Sequence, residues 1–188
     1  MLGLVNTYIL KQVIKISDLQ LGLLQSIMMI AMFISPFICS YISKKLKITS
    51  ILYWDNFIIG LTILVIAFIS SPLYINQFSN NVGPYISMTV TYSFIALLSG
   101  INSILLGTIL QQETPSLMIG RVSSVLNTLL VIATPLGQMV FGVLLDKAPV
   151  YICVSIISAI VIVSSIIFKI LNKSSLQQLD VVISDENN

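Results

Sequence analysis

One carboxylate, Asp55, lies inside a long apolar stretch of the sequence. Within a lipid bilayer such a group is costly and usually has a function, for example the binding of a proton or cation that drives transport. The neighbouring Trp54 is a residue type of the membrane surface, and Lys45 and Lys47 lie about two helical turns away. These neighbours favour a second interpretation, in which Asp55 pairs with a lysine at the surface. The sequence leaves both interpretations open.

A second group of polar residues forms a stripe on the third apolar stretch. Its members are spaced by three, four and seven and so share one helix face, with Asn102 beside them: Tyr85, Thr89, Tyr92, Ser99 and Ser103. Hydroxyl and aromatic groups that face away from lipid suit a wet cavity that contacts substrate. The alternative is that these serines and threonines allow close helix packing and bond to their own backbone.

The fourth apolar stretch repeats this pattern with Asn127, Thr134 and Gln138, spaced by seven and four. Gln25 of the first stretch completes the candidates for a substrate cavity. A proline inside the fourth helix removes a backbone hydrogen bond, so a hinge or gate is expected there, with tight packing as the alternative. The gate candidates are Gly120, Arg121, Pro135, Gly137, Gly142 and Asp146.

Several kinds of chemistry are not expected from this sequence. It has no histidine and two cysteines, Cys39 and Cys153, both within apolar stretches, so no metal site, disulfide framework or cofactor is predicted. Glu113 stands alone in a short connection and there is no glycine-rich phosphate loop, so the chain is not predicted to be an enzyme. The basic residues are dispersed among the connections, which argues against nucleic-acid binding.

The elements that must position the candidate residues are apolar helices. Hydrophobic residues make up 56% of the 188 positions and charged residues 9%, whereas a soluble domain has about a quarter of its residues charged. A membrane-spanning helix needs about 20 apolar residues, and five stretches are long enough. They are Leu19–Ile42, Ile48–Ile69, Tyr85–Leu110, Val122–Leu145 and Val150–Leu171.

The sequence therefore predicts an all-α integral membrane bundle of five full transmembrane helices, preceded by a partial helix. Residues 1–10 are apolar but would span only about 15 Å as a helix, so we expect either an interfacial segment or further residues before Met1. The second and fifth stretches carry few polar groups and are predicted to face lipid. Residues 1–171 form the transmembrane domain in this scheme, and residues 172–188 form a polar, disordered cytosolic tail.

Five motifs occur in a fixed order along the chain: Ser17-Asp18-Leu19-Gln20-Leu21-Gly22-Leu23-Leu24, Gln111-Gln112-Glu113-Thr114-Pro115, Gly120-Arg121-Val122-Ser123, Thr134-Pro135-Leu136-Gly137, and Gly142 with Asp146. Together they resemble the major facilitator superfamily of permeases, in particular the macrolide-efflux and siderophore-exporter type. The resemblance implies the C-terminal half of a twelve-helix transporter, from the end of helix seven to helix twelve. The connection at residues 43–47 departs from the family pattern, because it keeps the basic residues and lacks the aspartate.

The resemblance also implies a function. It is that of a proton-coupled exporter of small amphipathic, drug-like molecules, working by alternating access between two halves. The expected partners are the lipid bilayer, a small-molecule substrate, and either an N-terminal half absent from this chain or a second copy of it. The alternative is a membrane scaffold or accessory subunit that transports nothing.

The basic residues predict the orientation of the bundle. Six of them lie in alternate connections: Lys44, Lys45, Lys47, Arg121, Lys169 and Lys173. The opposite side holds Lys11, Lys15 and Lys147. Connections on the cytoplasmic side of a cell membrane are enriched in lysine and arginine, so the first side and the C-terminus should be cytoplasmic.

Single cysteines test this orientation, in a chain whose two natural cysteines are replaced by serine. Lys45→Cys and Arg121→Cys should both react with a membrane-impermeant maleimide only from the cytoplasmic face, because both lie on the lysine-rich side. Asp18→Cys should react only from the opposite face. Labelling of positions 45 and 121 from different faces would contradict the five-span topology.

Overall fold

The computed structural model describes the backbone of residues 10–11, 14, 16–44, 48–77 and 81–186, and the side chains of all of these except residues 49, 113, 146, 147 and 171–186. The described part is helical and contains no strand. Its five long helices are α1 (Asp18–Ser43), α2 (Ile48–Ile69), α3 (Val82–Glu113), α4 (Ile119–Lys147) and α5 (Val150–Glu186). A single helical turn, Pro72–Ile75, lies between α2 and α3.

All five long helices are apolar and long enough to cross a membrane. The predicted class, an all-α membrane bundle, is therefore confirmed. α1 begins where the sequence signals a helix start: the Gln20 backbone N–H donates to Ser17 Oγ at 3.3 Å, and the Ser17 N–H donates to Gln20 Oε1 at 3.0 Å. This reciprocal capping box satisfies two of the backbone donors that a helix start leaves without partners.

The last helix is longer than the sequence predicted. α5 continues to Glu186, whereas the prediction ended the span at Leu171 and gave residues 172–188 as disordered. Residues 171–186 contain neither proline nor glycine, so the sequence there has no helix breaker. The part of α5 that is apolar enough to cross a membrane ends at Ile170. Of the predicted N-terminal partial helix, only Leu10 lies within the described residues, and it is buried.

Two helix pairs make up most of the bundle. α1 packs along α3 and α2 packs along α5, while contacts between α2 and α3 join the two pairs. α4 makes the fewest contacts among the long helices, and only 6% of its most apolar window is buried. Most of the surface of α4 is therefore uncovered by the described chain.

The prediction that the second and fifth spans face lipid is wrong for α2. In its most apolar window 44% of residues are buried, the largest share of any of the five helices. α2 lies between α5 and α3 and contacts both. A low content of polar groups predicts lipid exposure, but two serines of α5, Ser158 and Ser165, donate hydrogen bonds to the backbone of α2 and link the two helices.

Small residues and serine hydroxyls set the distance between α2 and α5. A methyl group at Gly60 would lie 2.6 Å from Ile162 Cγ1, so only glycine allows this approach. Ser158 Oγ donates to the Gly60 carbonyl at 2.8 Å, and Ser165 Oγ donates to the Tyr53 carbonyl at 3.2 Å. Hydroxyl-to-carbonyl bonds of this kind link helices in lipid, where burial of apolar surface gives no advantage.

Gly100 has the same role between α3 and α1. A methyl group at Gly100 would lie 2.7 Å from the Cβ of Ser35, which is buried on α1. The Ser35 hydroxyl donates to its own helix, at the Met32 carbonyl, over 2.7 Å. The contact therefore depends on shape, not on a bond between the helices.

Replacement of Gly60 or Gly100 by alanine should destabilise the bundle by about 1–3 kcal/mol, because overpacking forces the helices apart. Gly107→Ala is the matched control, since Gly107 also lies inside α3 but has nothing within 4 Å of an added methyl group. Alanine there should instead gain up to about 1 kcal/mol of helix propensity. Thermal unfolding in detergent micelles measures all three, and equal effects would contradict the packing described.

Candidate functional site

The carboxyl group of Asp55 is buried between α2 and α3. The residue is 4% exposed, and its side chain hydrogen-bonds the side chain of Asn102 on α3. An ionised carboxylate can only accept, so the Asn102 amide is the donor when Asp55 is charged. The second carboxyl oxygen, Oδ2, is also buried and has no hydrogen-bond partner among the described residues. Asp55 lies about 7–8 Å along α2 from Ser50, where the apolar span of this helix begins.

The surface pairing of Asp55 with Lys45 or Lys47 stays a prediction, because both lysines lie outside the described residues. Asn102 occupies the partner position in the described structure. Trp54 is exposed on the other side of α2, as expected of a residue at the membrane surface, but the carboxyl group next to it in sequence turns inward.

A cavity of about 420 Å³ lies where α2, α3 and α5 meet, beside the Asp55–Asn102 pair. Asn102 is part of its wall, and so are Leu52 and Asn56, which flank Asp55 on α2. α5 contributes Ser164, Ser165 and apolar side chains that include Phe168. The cavity therefore combines a polar wall on three helices with an apolar lining, an arrangement typical of small-molecule sites.

An aromatic cluster on α2 lies next to the cavity. The rings of Tyr53 and Phe57 stack with centroids 6.1 Å apart, and Trp54 contacts both rings edge-on. Lys169 of α5 places its Nζ 4.5 Å from the centre of the Tyr53 ring. This cation–π contact holds a positive charge at the end of the apolar part of α5, outside the set of residues that line the cavity.

The predicted stripe on the third stretch is divided in the structure. Thr89 and Tyr92 are buried, and Tyr85 Oη donates to a backbone carbonyl of α1 at 3.0 Å. Thr89 Oγ1 donates to the Tyr85 carbonyl at 2.8 Å. The first half of the stripe thus packs against its neighbours, as in the packing alternative. Ser99 and Ser103, further along α3, are exposed.

The candidates on α4 lie on its uncovered face. Asn127 and Thr134 are exposed, and Gln138 is partly exposed. The Thr134 hydroxyl donates to the Leu130 carbonyl of its own helix at 2.7 Å. A shallow groove follows the start of this face past Asn127. Gln25, the candidate on α1, is exposed as well.

The gate candidates also lie on α4, which is one continuous helix through Pro135. Gly120 and Gly142 have no atom within 4 Å of the place where a side chain would begin. Close packing of a described helix therefore does not explain these two glycines. Gly137 is partly exposed and Arg121 exposed, while the Asp146 side chain lies outside the described residues.

Of the predicted site residues, Asp55 and Asn102 are in contact although they were assigned to different groups. The sequence patterns did not predict the other polar residues of their cavity, Asn56, Ser164 and Ser165. A signal existed on α5: Ser158 and Ser165 are seven residues apart and so share a helix face. Nothing in the spacing indicated that this face meets α2.

No metal-binding group of three or more histidine, cysteine or acidic residues occurs in the part of the chain that the structure describes. Cys39 and Cys153 are buried, free thiols. The described residues thus define a membrane-embedded helical bundle in which the buried acid Asp55 lies beside a cavity. No protein-family model, curated protein or solved structure matches the chain.

The Asp55–Asn102 bond can be measured by paired substitutions. Asn102→Leu should destabilise the bundle by about 1–3 kcal/mol, because it leaves a buried carboxyl group without its donor. The double change Asp55→Leu with Asn102→Leu should recover most of that loss, since two apolar groups need no partner. Asn127→Leu, an exposed asparagine on α4, is the control and should not destabilise. Unfolding in detergent measures each variant; a double variant as unstable as Asn102→Leu would contradict the pairing.

Proposed function

We propose that the chain is half of a secondary transporter of the major facilitator type, an antiporter that exports small amphipathic molecules in exchange for protons. The observation that carries this proposal is the buried carboxyl group of Asp55, held by Asn102 beside a pocket between α2, α3 and α5. A structural role alone is a weak explanation for a buried acid within a membrane-spanning helix, because hydrocarbon disfavours it. A group that gains and loses a proton during a transport cycle explains it directly.

The uncovered face of α4 supports the idea that this chain is one half of a larger assembly. Asn127, Thr134 and Gln138 lie along that face together with Ser124. An exposed carboxamide in lipid lacks hydrogen-bond partners, so such a face is better accommodated by water or by protein. In the proposed assembly this face of α4 meets a complementary half or a second copy of the chain. Substrate passes between the two halves as they rotate relative to each other.

The proposed location is the cell membrane, with the C-terminus in the cytoplasm. Ser165 bonds to the Tyr53 carbonyl and Ser158 to the Gly60 carbonyl, so α5 runs antiparallel to α2. The start of α2 and the apolar end of α5 therefore lie at the same end of the bundle. Lys44 and Lys169 belong to this end, and its excess of basic residues favours the cytoplasmic side.

A membrane scaffold is the second candidate, and the division of the polar stripe favours it. Thr89 and Tyr92 pack inside the bundle and do not line an open cavity. The uncovered α4 would then bind a helix of a partner protein. This candidate leaves the buried acid and the cavity beside it unexplained, and for that reason we place it second.

Transport in proteoliposomes that contain the purified chain tests the proposal. With an imposed pH gradient, the chain should move ethidium across the liposome membrane in the direction opposite to proton flow. Asp55→Asn should lower the initial rate of this movement at least tenfold, because it removes the group that carries the proton. Asp18→Asn is the matched control, because Asp18 is exposed at the start of α1 and pairs with Lys11 at 2.7 Å. Its rate should stay within twofold of the unaltered chain.

Two results would narrow or contradict the proposal. If Asp55→Asn keeps its full rate, Asp55 does not couple transport to protons. If the folded chain on its own gives no gradient-driven efflux, transport by paired copies of this chain is contradicted, and transport then requires a complementary half.

A further inference from the structure

The cavity between α2, α3 and α5 has a neighbour on the outer face of α5. This second groove, of about 400 Å³, lies along Ala159, Val163 and Ile167, and it shares Ile160 and Ser164 with the cavity. The side chains of Ile160, Val163 and Ile167 are more than half exposed. In a membrane this face of α5 contacts lipid, so the two grooves lie side by side at the lipid boundary with Ile160 and Ser164 as their common wall.

A positive charge is fixed at one end of these grooves. Lys169 follows directly after Phe168, which lines the cavity. Its Nζ lies 4.5 Å from the centre of the Tyr53 ring, and the adjacent Trp54 is exposed, as is typical of the membrane surface. Lys169 forms no ion pair with any residue that the structure describes, Asp55 included. The described chain therefore presents an ammonium group at the membrane surface without a counter-charge.

Uncharged hydrogen-bond donors lie about one helical turn deeper. Ser165 Oγ donates to the Tyr53 carbonyl, so these two residues lie at one level, and Lys169 is about 6 Å further toward the end of the bundle. Next to Ser165, the Ser164 hydroxyl has no hydrogen bond to a described residue. Asn56 has a second N–H besides the one that it donates to its own helix. Ser164 and Asn56 both line the cavity, so each has a hydrogen to offer a ligand there.

From the end of the bundle inward, the site thus presents a cation, then hydrogen-bond donors, then two apolar grooves. A diacyl phospholipid has the complementary order of groups: a phosphate, ester carbonyls that can only accept, and two hydrocarbon chains. We infer that α2 and α5 bind one anionic diacyl phospholipid. Its phosphate lies at Lys169, its ester carbonyls accept from Ser164 and Asn56, and one chain occupies each groove.

The charge of the headgroup follows from the charge of the site. A zwitterionic headgroup carries its own cation beside the phosphate, whereas an anionic one has a net charge that a lysine at the membrane surface attracts. The site is independent of the proposed transport, because it requires only the described helices and a bilayer.

Quenching of Trp54 fluorescence measures occupancy of this site. Trp54 is the only tryptophan of the chain, and its ring centroid lies 5.5 Å from that of Tyr53. The full chain is reconstituted in phosphatidylcholine liposomes, into which phosphatidylglycerol with dibrominated chains is titrated; phosphatidylcholine with the same brominated chains is the reference. The binding constant of phosphatidylglycerol should exceed that of phosphatidylcholine about fivefold or more, the effect of one lysine at the surface. Soluble glycerol phosphate, which lacks the chains, should not restore the fluorescence.

Variants then locate the site. Lys169→Gln should lower the binding constant of phosphatidylglycerol to that of phosphatidylcholine. Lys44→Gln is the charge-matched control and should keep the preference, because the exposed Lys44 follows α1 and lines neither groove. Ser164→Phe fills the common wall of the grooves and should remove most of the preference. Ser155→Phe, at an exposed serine of α5 outside both grooves, should leave it unchanged.

Three outcomes would overturn the inference: equal quenching by the two brominated lipids, a preference that survives in Lys169→Gln, or an equal loss of preference in Lys44→Gln, which would indicate general surface charge. Recovery of fluorescence with glycerol phosphate would also overturn it, since the ligand would then be a soluble phosphate. Binding is measured without a gradient, so failure of ethidium transport leaves each of these outcomes unaffected. Absence of a lipid preference would likewise leave the transport proposal standing.

Discussion

Helices in a bilayer gain nothing by hiding apolar side chains from one another, because the surrounding lipid is just as apolar. Their association depends instead on close approach of backbones and on polar bonds that lipid cannot supply. In this chain those contacts are few and occur at defined places. Gly60 and Gly100 allow the close approaches, and Ser158 and Ser165 supply bonds from α5 to the backbone of α2. These contacts set how closely α1 approaches α3 and α2 approaches α5.

The Asp55–Asn102 pair lies at the seam where the two helix pairs meet. α1 with α3 forms one pair and α2 with α5 the other, and the carboxyl–amide bond joins α2 to α3. A change in the charge of Asp55 would therefore act between the two pairs and not within one of them. In a low-dielectric interior such a change alters the interaction strongly. This placement connects the chemistry of a single side chain to the relative position of whole helices.

The sequence predicted the class of fold and the five spans because length and hydropathy are local properties. It did not predict which spans touch, since helix adjacency depends on contacts between distant segments. The low polarity of the second span was read as exposure to lipid, whereas Gly60 makes α2 the most covered helix. Helical spacing grouped Tyr92 with Ser99, but one is buried and the other exposed, because neighbouring helices cover only part of α3. The sequence marks Asp55 as a candidate by its place in an apolar stretch, while its contact with Asn102 required the structure.

The bonds between α2 and α5 join residues that are 98 and 112 positions apart in the chain. A ribosome adds about 5–20 residues per second, so α2 enters the membrane roughly 5–20 s before its partner is made. During that interval the face around Gly60 has no helix to meet, and the acid of Asp55 lies on a helix that is still incompletely covered. α3 is synthesised sooner and carries Asn102, so the acid of Asp55 can meet its partner before α5 is complete. The order of synthesis thus lets α2 join α3 first and α5 last.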